Sequence, residues 1–378
     1  MMQDLLVELS DPTVDRVSSR TIAELTRDGN WAALCTRVSF AGLAPLAYER
    51  LRPHAHALPA DVLEWLRREH QTTVEHNCLL LDELHRIGGH LDAGGVPSLV
   101  LKGPVLAHLT TGLYTRGFHD LDILVHRSNL KDADRLLRSL GFDEIRNPAP
   151  HDYHTIYGRK ISTGVVLVEV HFDILDRGRG YVPDIEGIWS RAIETNISGY
   201  VVHAPALTDH LLLTMMQLPH HAWETRLLVD IRQLVCRWTR GIEWDQLMVR
   251  ARAWGMWALV ASTLYSVSAT FHFALPELVR EHAKPANYFQ RIQWNLVKEM
   301  VSGQLYVRLE FPLSRITPFL VSDRPETILS LLRTRTVPAG DPAVAAGLGT
   351  RWVERVKLGT SSLPSLLRVL VKSGIAQP

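Results

Sequence analysis

From Pro59 to Gly94 the residues Leu63, Leu66, His70, Val74, Cys78, Leu81, Leu84 and Ile87 recur at three- and four-residue steps, and then the pattern stops at Gly94-Gly95. A repeat of this period predicts one long amphipathic helix, with Pro59 suited to its start and the glycines to its end. Beyond Gly95 the period changes. Val96 to Leu101 is an apolar run of strand length, Asp120 to Val125 alternates, and two further strands are expected at Tyr153 to Arg159 and Val165 to Ile174. Another is expected near Tyr200 to His203. Between them, 104–112 predicts a helix, and so do the residues after Ser128, with Ser128 as cap and Gly141 as stop. Beyond Pro205 the chain turns helical again, over 207–219, 222–238, 243–254 and 256–272. Between about 95 and 205 the order describes a compact α/β or α+β unit, with helical stretches on both sides. Four segments are expected: an N-terminal helical region at 1–94, a compact mixed unit at 95–205, a helical domain at 206–336, and a loop with a final amphipathic helix, Leu363 to Val371, at 337–378.

Composition narrows the function classes. In 378 residues, 41 basic side chains balance 40 acidic ones, so the chain is not built to coat nucleic acid by bulk attraction. Only residues 301–378 are locally basic, with ten basic and five acidic side chains. The cysteines Cys35, Cys78 and Cys236 form no CxxC pair, so neither a disulfide framework nor a thiolate zinc site is supported, and a reducing cytoplasm is the expected location. The N-terminus places acids where a signal peptide wants a basic start. Ala253 to Pro276 carries no Lys, Arg, Asp or Glu, but its six Ser, Thr and His residues dilute it, and a buried helix rather than a membrane span is expected. GxSxG, P-loop, GxGxxG and HExxH motifs are all missing, which removes hydrolase, P-loop, Rossmann and zincin readings.

One constellation carries chemistry. In Asp120-Leu121-Asp122 the two carboxylates stand at i and i+2 of a strand and project from one face, while Leu121, Ile123 and Val125 point into a core. Two like charges side by side repel, and an oxygen-rich pair suits Mg²⁺, which accepts phosphate oxygens in its remaining positions. Glu169, in Val168-Glu169-Val170-His171, offers a third carboxylate from a neighbouring strand. Three acids converging from two strands are what two metals need for in-line nucleotidyl transfer. Gly103 ends the first strand seventeen residues before Asp120, where a backbone without a side chain lets phosphate approach a helix N-terminus. His171 shares the Glu169 face, as a site residue or as a hydrogen-bonded core histidine. His151 and His154 read as a strand-end pair rather than ligands, and Arg226 with Asp230 as a helical ion pair.

Leu101-Lys102-Gly103, Tyr114-x-Arg116-x-x-x-Asp120-Leu121-Asp122-Ile123-Leu124-Val125 and Leu140-Gly141-Phe142 together resemble an uncharacterised bacterial nucleotidyltransferase family of the polymerase-β-like superfamily. Glu169-Val170-His171 fits its later acid-x-His strand, where the family more often has Asp. His220, Trp223, Arg226, Leu227 and Asp230, then Ile242-Glu243-Trp244, resemble its helical C-terminal half. The likeness spans roughly residues 60 to 280. It departs from the wider superfamily at Gly103-Pro104, where Gly-Ser is usual, so Lys102 is the candidate for supplying charge to phosphate there.

The resemblance implies an α+β fold: a polymerase-β-like nucleotidyltransferase core at 95–205, a mixed sheet with helices, flanked by N- and C-terminal helical regions. It implies transfer of an NMP, by preference AMP, from an NTP such as ATP to a hydroxyl of a small molecule or peptide, with release of pyrophosphate. Asp120, Asp122 and Glu169 would hold Mg²⁺ or Mn²⁺ and form the catalytic set. Lys102, Gly103, Arg116 and His171 would bind the nucleotide, with Arg116 on phosphate charge unless it is only a turn residue. No membrane partner is expected, and a long nucleic acid is disfavoured while tRNA ends stay open as acceptors. The competing readings are toxin-like nucleotidylation of RNA or protein, and a catalytically silent helical interaction or assembly protein that keeps the fold.

Overall fold

The computed structural model describes residues 2–145, 153–162, 164–175, 180–219, 221, 224–285 and 288–301. The chain opens on four helices, α1 (Met2–Ser10), α2 (Ser19–Asp28), α3 (Trp31–Phe40) and α4 (Ala44–Leu51), followed by the long α5 (Ala60–Ala93). Helix α2 shows the local logic well. The Ser18 side chain accepts from Thr21 N at its start, and Gly29, at φ +61°, closes its end.

Helix α5 runs 34 residues, about 51 Å at the usual rise. Its buried stripe is Val62, Leu66, Asn77, Leu80, Leu84, Ile87 and Leu91. Through the middle this differs by one position from the apolar pattern of the sequence, because Asn77 faces inward and Cys78 is exposed. Asn77 is fully buried, and its amide serves a loop: Nδ2 donates to Leu113 O (2.6 Å) and Arg116 O (2.9 Å), and Oδ1 accepts from Phe118 N (3.3 Å). A buried amide is tolerated because these bonds satisfy it.

Next come β1 (Ser98–Val100), α6 (Pro104–Leu109), β2 (Leu121–Val125), α7 (Leu130–Ser139), β3 (Asp143–Glu144), β4 (His154–Ile161) and β5 (Gly164–His171). They form a five-stranded sheet in the order β1-β2-β5-β4-β3. Strands β2 and β5 are parallel, and the other pairs antiparallel. The expected mixed sheet with flanking helices is what forms. Leu121, Ile123 and Val125 of β2 and Val166, Val168 and Val170 of β5 join one apolar cluster with Leu80, Leu84, Ile87 and Leu91 of α5 and Ala133 and Leu137 of α7. Helix α7 starts differently from expectation. A 3-10 turn at Arg127–Asn129 precedes it, and the Ser128 hydroxyl donates to Asn129 Oδ1 instead of capping the helix. Gly141, at φ +82°, ends it as expected.

A short α8 (Ile185–Ser190) leads into a hairpin of β6 (Ile193–Ile197) and β7 (Tyr200–Ala204). Strand β6 escapes the sequence pattern because Glu194, Thr195 and Asn196 leave it with no apolar run. The helical remainder is α9 (Leu207–Gln217), α10 (Thr225–Trp238), α11 (Trp244–Ala253), α12 (Trp257–Phe271), α13 (Glu277–His282) and α14 (Tyr288–Val301). The uncharged 253–276 stretch yields α12, only 15 residues long and capped by His272 in the left-handed region. Among the described residues no helix is long and apolar enough to cross a membrane.

Internal contacts divide the chain into two units: 1–176 with 184–211 and 229–242, and 177–183 with 212–228 and 243–378. The first contains the N-terminal helices and both sheets. In the second, α12 packs on α11, α13 and α14 around Leu259, Leu264, Val267, Val279 and Val297. His151, His220, Trp223, the 337–349 loop and the final amphipathic helix lie outside the described residues.

Candidate active site

The parallel pairing of β2 with β5 puts Asp122 opposite Glu169 and Leu124 opposite His171. In register-matched strands, side chains of paired residues leave the same face. Asp122, Glu169 and His171 therefore share the face opposite the Leu121–Val168 and Ile123–Val170 core pairs. Asp120 stands just before β2, two residues from Asp122. Strand β1 delivers the next members. Leu101 N donates to Asp122 O at 3.0 Å, so the chain turns immediately beside the carboxylates and brings Lys102 over them. Gly103 makes that turn at φ +55° and ψ −110°, a conformation that L side chains avoid.

The contacts are close. Lys102 Nζ lies 2.6 Å from Asp122 Oδ1, and His171 Nε2 lies 3.0 Å from the same oxygen and 3.3 Å from Glu169 Oε2. Asp122 is 1% exposed and His171 3%. Burial alone would raise the Asp122 carboxyl, but the Lys102 charge and the His171 hydrogen bond outweigh it and hold it well below the ordinary range. Burial likewise opposes protonation of Lys102 and His171, yet the carboxylates they touch raise both. Glu169 follows the same pattern: burial pushes it up, while the His171 hydrogen bond and the Lys102 charge bring it down overall. Asp120 touches no such cation in the same way. Burial first, and then the neighbouring Asp122 charge, push its carboxyl up to about 6.

Three carboxylates thus meet on one patch together with the Lys102 ammonium and the His171 ring, and at Asp120 burial and the neighbouring carboxylates outweigh the Lys102 charge. The Lys102 ammonium acts as a stand-in ion. Its ion pair is with Asp122, and hard oxygen donors such as these carboxylates are what Mg²⁺ or Mn²⁺ takes. By that test Asp120, Asp122 and Glu169 fit a divalent metal.

Arg116 is placed otherwise than a phosphate-binding residue needs. It is 7% exposed, and its guanidinium grips Asp230 of α10, with Nε donating to both carboxylate oxygens (2.9 and 3.1 Å) and Nη2 to Oδ2 (2.9 Å). The expected partner of Asp230 within its own helix, Arg226, approaches Glu224 at 3.9 Å instead. A bidentate ion pair of this kind orients the loop that leads to Asp120. Asn77 pins the same loop from the other side. No periodicity argument finds Asn77, since the pattern search looks for apolar residues. His154 opens β4, at a strand end as expected, and its ring lies 5.1 Å from that of His171, on this face of the sheet.

Two outcomes can be measured here. Gly103→Ala should cost about 1–2 kcal/mol, because φ +55° is strained for a side chain. An added Cβ would only touch Asp120 O at 3.4 Å, so the penalty is conformational and appears as a lowered melting temperature with the fold retained. His210 of α9 is 1% exposed, and burial, with the Arg116 charge second, lowers its pKa to about 4. Below the unfolded value near 6.5 the unfolded chain takes up a proton that the folded chain refuses. The stability contributed by neutral His210 is therefore complete above pH 6.5 and is lost as pH falls toward 4, by on the order of 3 kcal/mol at most. Urea midpoints measured at pH 7 and pH 4.5 should separate less in His210→Gln than in wild type.

The chain matches the model of a family described as uncharacterised nucleotidyltransferase over residues 27–272. No curated protein matches it. Among solved structures it is similar to the solution structure of the antibiotic-resistance factor ANT(2'')-Ia, at 15% identity and TM-score 0.34, over 52% of this chain and 98% of that one. It is also similar to the crystal structure of ANT(2'')-Ia in complex with adenylyl-2''-tobramycin, at 15% identity and TM-score 0.33, over 47% and 97% of the two chains. A third is an antigenic nucleotidyltransferase-like protein from Paracoccidioides brasiliensis, at 14% identity and TM-score 0.31, over 52% and 93%.

Proposed function

This chain belongs to the uncharacterised nucleotidyltransferase family, and on that premise we propose that it moves an NMP, by preference AMP, from an NTP to a hydroxyl of a small molecule or peptide. The acceptor oxygen forms a bond to the α-phosphorus as the bond to the bridging oxygen breaks, and pyrophosphate leaves. The observation that carries this reading is the register of Asp122 against Glu169, with Lys102 at 2.6 Å from Asp122.

Asp120, Asp122 and Glu169 would hold Mg²⁺ or Mn²⁺. The bound metal would supply Lewis-acid charge to the triphosphate. Lys102 exchanges its carboxylate partner for phosphate oxygens when nucleotide arrives, a small movement for an ammonium on a four-carbon stem. Gly103 keeps the turn free of a side chain beside that phosphate. His171 holds the Asp122 and Glu169 carboxylates ionised and oriented through its two contacts. Glu169, which like Asp120 is partly exposed, receives the acceptor's proton. Arg116, committed to Asp230, positions the loop instead of binding phosphate.

A silent scaffold has no use for this arrangement. Gathering three carboxylates and two cations on a largely buried face costs desolvation that an apolar replacement would avoid. Calorimetric titration of each of the four NTPs with Mg²⁺ tests the reading. One NTP should bind wild type in a metal-dependent way, and the Asp120→Ala/Asp122→Ala protein should lose that binding. Equal binding by both proteins would overturn the site.

A further inference from the structure

Strand β4 brings a third strand's chemistry to the same face. In the antiparallel pairing of β4 with β5, His154 stands opposite His171, and Ile156 opposite Glu169. His154 is 6% exposed and His171 3%, with ring centroids 5.1 Å apart. One ligand atom from each of His154, Glu169 and His171 lies within 4.8 Å of the other two. Tetrahedral bonds of about 2.1 Å set donor atoms about 3.4 Å apart, so these side chains close by up to about 1.4 Å when they take a cation.

We propose that His154, His171 and Glu169 form a site for a borderline transition-metal cation, Zn²⁺ or Co²⁺ in class, beside Asp120 and Asp122 and with Glu169 common to both sets. The donor chemistry is what separates the two. Imidazole nitrogens suit Zn²⁺ and its neighbours, whereas Mg²⁺ keeps to oxygen and water. Two His and one Glu form a three-ligand zinc set that leaves a fourth position open. The surroundings match as well. His171 Nε2 lies 3.0 Å from Asp122 Oδ1, so the ring keeps its Nε2–H on a carboxylate that fixes its orientation and has its Nδ1 to offer a metal. The Tyr153 ring packs edge-on against His154 at 4.2 Å and lies 5.9 Å from the His171 ring. No sequence motif announces the site, because 17 residues separate His154 from His171 and only the β4–β5 register joins them.

This inference deepens the nucleotidyl-transfer reading, with which it shares Glu169 and His171, and rests on that reading only for the metal's use. The test therefore uses metal alone. Metal-free protein is titrated with Co²⁺, followed by visible absorption, and with Zn²⁺ and Mg²⁺, followed by calorimetry, without nucleotide. One equivalent of Co²⁺ should give the intense visible bands of a low-coordinate imidazole site, and Zn²⁺ should bind at least about a hundredfold more tightly than Mg²⁺. His154→Ala should lose the bands and weaken Zn²⁺ at least about a hundredfold. His154→Asn, which keeps a polar group at this buried position, carries the same expectation if the alanine variant fails to fold. His108→Gln, on an exposed helix position, controls for binding by scattered surface histidines. Unchanged bands and Zn²⁺ affinity in both His154 variants, or no bands in wild type, would overturn the proposal. Retained Co²⁺ bands with no Mg²⁺-dependent NTP binding would instead remove the transfer reading and leave the metal site standing.

Discussion

Asp122→Asn is expected to cut pyrophosphate release from the NTP that binds by about a thousandfold or more, with KM changed far less than kcat. A group that places charge against a developing transition state is worth several kcal/mol, and each 1.36 kcal/mol is a factor of ten. The substitution keeps the side chain's size and removes its charge. Asp122 is the point where the other groups converge: Lys102 and His171 share its Oδ1, Glu169 stands beside it in register, and Leu101 N is bonded to its carbonyl. That last bond and the strand pairing do not depend on the carboxylate, so β2 should keep its place in the variant. Pyrophosphate release followed in steady state, with circular dichroism to check the fold, reads the effect. A loss smaller than tenfold in a folded protein would move catalysis away from this carboxylate.

Asp230→Ala should destabilise the protein by about 3–5 kcal/mol, the largest effect on stability expected of any single substitution here. The Arg116 guanidinium is 7% exposed and Asp230 1%, so the truncation strands a buried cation without its counter-charge. Removing both charges is a different matter. Arg116→Met/Asp230→Leu should recover most of the loss, since a well-packed apolar pair replaces a buried ion pair at little cost. Denaturant midpoints of the two single variants and the double variant form the cycle that isolates the pair. The double variant also decides what Arg116 does. If it is a positioning residue, the double variant keeps Mg²⁺-dependent NTP binding to within about tenfold of wild type. If stability returns while NTP binding is lost, the guanidinium acts on phosphate after all.

The site was legible in the sequence to the extent that its residues carry a local period. Alternation in Asp120-Leu121-Asp122-Ile123 and in Val168-Glu169-Val170-His171 is enough to say that acids leave one face and aliphatics the other, because successive side chains of a strand point to opposite sides. Likewise the three- and four-residue steps after Pro59 predict α5, and Gly94-Gly95 predict its end. These features are written in neighbouring residues, so they can be read without knowing what the chain packs against. The motif around Asp120 adds the family by resemblance, and it lies inside the stretch, residues 27–272, that the family match covers.

Partner choice was decided only by the tertiary structure. Nothing local says that β2 pairs in parallel with β5 at the register that sets Asp122 beside Glu169, or that β4 then adds His154 to the face. Arg116 finds Asp230 at a separation of 114 residues, whereas the sequence offered Asp230 a partner four residues away. Asn77 supports the Arg116 loop from inside a helix whose apolar pattern gives no hint of a buried amide. In each case the deciding energy is a contact between distant segments, the desolvation of a charge or an amide set against the bond that satisfies it. Periodicity records which way a side chain faces, and the fold alone records what it meets there.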